Sequence, residues 1–320
     1  MDIPSPAFSF AIPSIHDGCQ LQCRLYLPHW LQDIQSTPTI RGAIIAHPYA
    51  PLGGCYDDPV VGFIGCELLR AGYIVGTFNF RGAGNSEGRT SWTARPELGD
   101  YASFYGFMMQ HLQHVQVATQ RWHGNPPSAR ADQRIHLVLG GYSYGSLIAS
   151  HVPTLDVMLD LFCGERSAPN TPIHEIGKAA GNIAARSLPE PCVASTGDTD
   201  EPGLHASISI SYLLVSPLLP PVSQALTVFS SLSVRVAGVS AQARPVQPSE
   251  QLSTHRTLAL YGDQDTFTSA RKLQTWSAEL ARVNQSQFRG CVIEGAGHFW
   301  REAGVEARAR QVLQEWLCQT

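Results

Sequence analysis

Apolar residues fall along the chain in two rhythms, one of alternating positions or short unbroken runs, the other of every third or fourth position, and the two take turns. "CQLQCRLYL" (19–27) has period two and predicts an early strand, and "GAIIAH" (42–47), closed by Pro48, predicts a short buried one. "VVGFIGCELLRAG" carries apolar residues at helical spacing and stops at Gly72; "YIVGTFNF" then predicts a buried strand. "ELGDYASFYGFMMQHLQHV" follows as a long amphipathic helix and "RIHLVLGG" as another strand. Further on, "SISISYLLVS" (207–216), "RTLALYG" and "FRGCVIEG" predict strands, while "SARKLQTWSAELARV" and "VEARARQVLQEWL" predict helices. Repeated alternation of strand and helix predicts an α/β fold over the whole chain, 1–320, as a single domain: a mostly parallel central sheet flanked by helices. No internal repeat interrupts it.

The rhythm breaks over 164–206, a stretch rich in Pro, Gly, Ser and Thr that reads as an insertion. A structureless loop of that length is uncommon in a compact domain, and a short helix in "IGKAAGNIAARSL" points to a lid, with a surface loop as the alternative. A second polar connection, 236–255, carries the same two readings.

Composition narrows the partners. With 320 residues, 43% of them hydrophobic and 15% charged, the chain is large enough to enclose a core and a sheltered cavity. A net charge of −4 without a run of basic residues gives no reason to expect nucleic acid or an anionic membrane surface, so a small molecule is the expected partner. No stretch reaches the ~20 apolar residues of a membrane span. The N-terminus lacks a basic region followed by an apolar one, and a cytoplasmic location is expected. The eight cysteines are scattered, several in apolar runs, and read as reduced thiols. Cys19 and Cys23 have no second pair or histidine at zinc-site spacing, so no metal is expected. Oligomeric state is left open.

The chemistry gathers around "LVLGGYSYGSLIAS" (137–150), where Gly141, Ser143 and Gly145 form a G-x-S-x-G pattern between a predicted strand and a predicted helix. A serine hydroxyl is a weak nucleophile at neutral pH unless a base takes its proton and a third group orients that base. Asp263 and Asp265 lie just past the strand "RTLALYG", and His298, alone among twelve histidines, lies on the loop after the final strand. The chain order is therefore Ser, Asp, His, with either aspartate available as the orienting acid. An oxyanion formed on attack needs two donors. The N–H of Tyr144, directly after the serine in the strand-to-helix turn, is placed to supply one.

Taken in order, "AHPYAPLGG" (46–54), "NFRGAGNSEG" (79–88), the serine turn and the two acid–base loops resemble the motifs of the α/β-hydrolase superfamily, from near residue 20 to the C-terminus. The insertion at 164–206, following the helix after Ser143, is the chief departure. The resemblance implies Ser143 as nucleophile, His298 as general base and Asp265, three residues after Gly262, as the acid, with Asp263 bonding the turn. It also implies Tyr49 N–H as the second oxyanion donor, Ala50 being the alternative; losing one donor costs about 3–4 kcal/mol in the transition state. His47 then fixes the early loop, and Arg81 and Ser86 organise their turn.

The activity implied is hydrolysis of a carboxylic ester or thioester of a small molecule through an acyl-enzyme on Ser143, without a cofactor. The acyl substrate is free, carrier-bound or CoA-bound. An acyltransferase or cyclising release enzyme would use the same acyl-enzyme, and a non-catalytic binding protein is disfavoured because all three positions are filled. Asp57 and Asp58 read as helix-entry residues rather than metal ligands. Phe299 and Trp300 either line a pocket or pack the last helix, Tyr142 and Tyr144 flank the serine, and Cys55 reads as a bystander.

Overall fold

The computed structural model describes residues 3–31, 39–122, 134–163, 170–189, 207–227 and 247–319. Among the described residues eight strands form one sheet: β1 (Phe8–Pro13), β2 (Gln20–Tyr26), β3 (Arg41–Ala46), β4 (Ile74–Phe78), β5 (Arg134–Tyr142), β6 (Ser207–Val215), β7 (Arg256–Gln264) and β8 (Phe288–Gly297). Their order is β1-β2-β4-β3-β5-β6-β7-β8, and every pair from β4 to β8 is parallel, while β2 runs antiparallel to both neighbours. The helices are α1 (Pro59–Arg70), α2 (Arg95–Trp122), α3 (Tyr144–Ala149), α4 (Leu155–Cys163), α5 (Pro172–Ser187), α6 (Val222–Leu226), α7 (Pro248–Thr254), α8 (Ala270–Ala281) and α9 (Val305–Leu317).

The unbroken apolar runs of the central strands follow from burial on both faces. Alternate residues go to opposite sides. Ile44, Leu137, Leu139, Tyr212, Leu214 and Ala259 meet α2, α3 and α8, whereas Ala43, Ile45, Val138, Leu213, Val215 and Leu258 meet α1 and α9. The chain passes from β3 outward to β4 and then back across to β5, so connections diverge between the carboxyl ends of β3 and β5. In open α/β sheets such a switch point leaves a crevice for a ligand.

Four of these elements lie outside the sequence pattern, one of them the five-residue α6. β1 reads "FSFAIP" and pairs with β2 at the sheet edge, where four of its six residues keep some exposure and its alternation is short. α4 follows α3 after a short turn. α7 falls within the polar connection 236–255, of which 236–246 lie outside the described residues; Pro248 starts it, and it buries Gln251, Leu252 and Ser253, too few apolar residues to show a period.

The helix expected within "IGKAAGNIAARSL" begins earlier, at Pro172, because Thr171 caps it by accepting the His174 N–H. It buries Ile173, Ile176, Ala180 and Ile183, and lies along the C-terminal half of α2, with Gly177 beside Gln110 and Gly181 beside His114. The rest of the 164–206 stretch read as a candidate lid, 164–169 and 190–206, lies outside the described residues.

Candidate functional site

Ser143 stands between β5 and α3 with φ 56° and ψ −114°, a conformation that turns the chain sharply from strand to helix. Its N–H donates to the Val215 carbonyl at 2.8 Å, which ties the turn to the end of β6. The flanking glycines are required by contact. A Cβ at Gly145 would lie 2.4 Å from the Ala46 carbonyl oxygen, and one at Gly141 would lie 2.3 Å from the Gly145 carbonyl carbon. Strand β5, the turn and the loop after β3 are therefore packed backbone to backbone.

His298 is carried just past β8 and Asp265 just past β7, neighbouring parallel strands that end on the same side of the sheet as Ser143. The His298 Nδ1–H donates to Asp265 Oδ2 at 2.7 Å, and the Ser143 hydroxyl lies 2.8 Å from His298 Nε2, positioned to donate to it. These partners assign the tautomer, with the proton on Nδ1. The second carboxylate oxygen of Asp265 accepts the N–H groups of Phe267 and Thr268 at 2.8 and 3.0 Å. Burial pushes the Asp265 pKa up, but the hydrogen bond and charge of His298, with the two backbone bonds, outweigh it and hold the carboxyl below its ordinary value. Asp263 is turned elsewhere: its Oδ1 accepts the Gly295 N–H at 2.7 Å and so braces β8.

The loop after β3 closes the other side. Tyr49 starts a single 3-10 turn, Ala50–Leu52, and its ring centroid lies 5.1 Å from that of Tyr144. The Tyr144 N–H opens α3, where helix geometry leaves it without an intrahelical acceptor. His47 holds this loop from beneath: its Nε2 accepts the Phe80 N–H at 2.9 Å and its Nδ1–H donates to the Pro48 carbonyl at 2.6 Å. Burial pushes the His47 pKa down to about 4, so it is a neutral brace. The turn that presents Phe80 is itself held. Arg81 bonds both oxygens of Asp100 at 2.9 and 2.7 Å, and the Ser86 hydroxyl donates to the Asn79 carbonyl at 2.8 Å.

Other expectations separate here. Asp58 caps α1 by accepting the Val60 N–H at 2.8 Å, and Asp57 pairs with Arg24. Phe299 is 51% exposed with its ring 5.5 Å from that of His298, whereas Trp300 is buried beside Phe63. Tyr142 donates its hydroxyl to the His298 carbonyl at 2.8 Å, while Tyr144 packs on Tyr49 and Phe80. Two residues carried no sequence signal. Phe267 places its ring 4.4 Å from His298, and the Ser216 hydroxyl accepts the Trp300 indole N–H at 3.0 Å. Neither stands in a motif; only their position just past β7 and β6 could have drawn attention to them.

No family model and no curated protein matches the chain. Among solved structures it is similar to an α/β serine hydrolase homologue from Coxiella burnetii, at 18% identity over 98% of each chain and a TM-score of 0.51. It is also similar to an α/β serine hydrolase without lid from Xanthomonas campestris, at 16% identity over 99% of this chain and 96% of that one, with a TM-score of 0.52. Among the described residues no helix is long and apolar enough to cross a membrane.

Proposed function

We propose that this chain, whose fold is that of the α/β hydrolases, hydrolyses carboxylic esters or thioesters of small molecules through an acyl-enzyme on Ser143. The observation that carries the reading is the hydrogen-bonded series from Asp265 through His298 to Ser143, at 2.7 and 2.8 Å, beside the β3–β5 switch point. The Ser143 Oγ attacks the substrate carbonyl carbon as its proton passes to His298 Nε2. Asp265, held ionised, stabilises the imidazolium and keeps its ring oriented.

The tetrahedral oxygen takes the N–H groups of Tyr144 and Tyr49, whose placement by α3 and by the His47-braced loop supports the role. Collapse breaks the bond to the alkoxide or thiolate, which leaves with the proton from Nε2. A water then attacks the acyl carbon, gives its proton to Nε2, and releases the acid as Ser143 regains its own. The scheme needs no cofactor. The apolar rings of Phe267 and Phe299 beside His298 favour a substrate that is apolar where it meets the base.

A fluorophosphonate probe should label the protein on Ser143, and Ser143→Ala should abolish both labelling and turnover of p-nitrophenyl esters and acyl thioesters of graded length while its thermal midpoint stays near that of the wild type. Turnover at the wild-type rate by Ser143→Ala would overturn the mechanism. Adding an alcohol to the assay and analysing products separates water from another acceptor of the acyl group.

A further inference from the structure

The His298 ring is met at its two nitrogens by Asp265 and Ser143, and the tight turn after β8 that carries it is closed by a long Trp300 N–H to Gly297 carbonyl bond of 3.4 Å. Two side chains hold that turn from outside. The Tyr142 hydroxyl, from the residue before Ser143, donates to the His298 carbonyl at 2.8 Å. The Trp300 indole N–H donates to the Ser216 hydroxyl at 3.0 Å, from the residue after β6. The end of β6 also anchors the nucleophile, because Val215 accepts the Ser143 N–H at 2.8 Å. Nucleophile and base are thus tied to the same two strand ends, β5 and β6.

Backbone conformation marks the same residues. Six non-glycine residues with positive φ are described, and three of them, Ser143 (56°), Ser216 (46°) and Trp300 (56°), stand in this corner. Such conformations persist where the surroundings over-determine them, and they gather at functional sites. Packing alone explains neither feature. Trp300 is buried against Phe63, a contact that another ring would make as well, but its indole N–H and the Ser216 hydroxyl, itself fully buried, satisfy one another.

We propose that Ser216 and Trp300 are positioning residues, whose hydrogen bond works with the Tyr142 hydroxyl to hold the His298 imidazole in line with Ser143. The inference rests on the function proposed above. It is tested on the full chain with Ser216→Gly, Trp300→Phe and the double variant. Glycine takes a φ of 46° without strain, so Ser216→Gly removes the acceptor while leaving the turn accessible. Phenylalanine keeps a ring and removes the donor.

The readouts are the rate of Ser143 labelling by a fluorophosphonate, kcat and KM for p-nitrophenyl butyrate, and the thermal midpoint. Each single variant should lower labelling rate and kcat about tenfold or more with KM within about twofold, since a misplaced group costs chemistry rather than binding. The double variant should lose little beyond the worse single one, because both remove one interaction. Wild-type kcat and labelling in Ser216→Gly, or losses that multiply in the double variant, would overturn the proposal. If Trp300→Phe fails to fold, Ser216→Gly decides alone. Turnover by Ser143→Ala, which leaves this hydrogen bond untouched, would instead overturn the reaction itself.

Discussion

At the scale of single residues, two aspartates, Asp263 near the end of β7 and Asp265 just past it, show how position decides between identical side chains. Asp263 and Asp265 are two residues apart, yet one reaches Gly295 and the other His298, since β7 continues to Gln264 and its register with β8 shifts between Gly262 and Gln264. Asp265→Asn cannot hold the Nδ1–H tautomer and should lower kcat by roughly 10³–10⁴-fold. Asp263→Asn keeps an oxygen for the Gly295 N–H and should cost far less. Steady-state kinetics of the two variants decide it, and the reverse ranking would move the acid to Asp263. The pair Ser216 and Trp300 belongs to this scale too. No spacing rule pairs them, because each follows a different strand and they meet only at the carboxyl edge of the sheet.

Among the elements, the turn between β5 and α3 is the one with least room for change. Gly145 faces the Ala46 and His47 carbonyl oxygens, 2.4 and 2.7 Å from where a Cβ would stand. Gly145→Ala should therefore push the turn away from the loop after β3, lowering stability by about 1–3 kcal/mol and activity with it. Gly62 in α1 is the contrast: its added Cβ would meet only an Ile3 methyl at 4.0 Å, and it sits in a helix interior. Gly62→Ala should stabilise by about 0.5–1 kcal/mol with kcat unchanged. Thermal or urea unfolding of both variants checks the pair; equal effects would mean that backbone contact at the elbow does not set its tolerance.

For the whole molecule, burial of neutral histidines ties stability to pH. His47, His111 and His136 are each pushed down to about 4 by burial, against about 6.5 for an unfolded chain. Between those values the unfolded state binds protons that the folded state excludes, so the stability present above pH ~6.5 is lost as pH falls toward 4. Each group costs up to about 1.4 kcal/mol per pH unit in that window. Asp58 and Glu97, raised by burial, act in the opposite sense but are fewer. The thermal midpoint should be clearly lower at pH 5 than at pH 7.5, and an equal or higher midpoint at pH 5 would contradict this.

Local pattern by itself determined most of the strands, the long helices and the α/β order, because a two-sided sheet must place apolar residues where "GAIIAH", "RIHLVLGG" and "RTLALYG" place them. It also picked out Ser143 and His298, since each requires a particular turn whose glycines or strand ends are visible in the sequence. Only the tertiary structure decided what each side chain touches: which aspartate faces His298, that Trp300 is buried while Phe299 is half exposed, and that Ser216 and Tyr142 hold the histidine turn. Those contacts join residues 33 to 156 positions apart, and their geometry is fixed by strand order and register. No local periodicity encodes it.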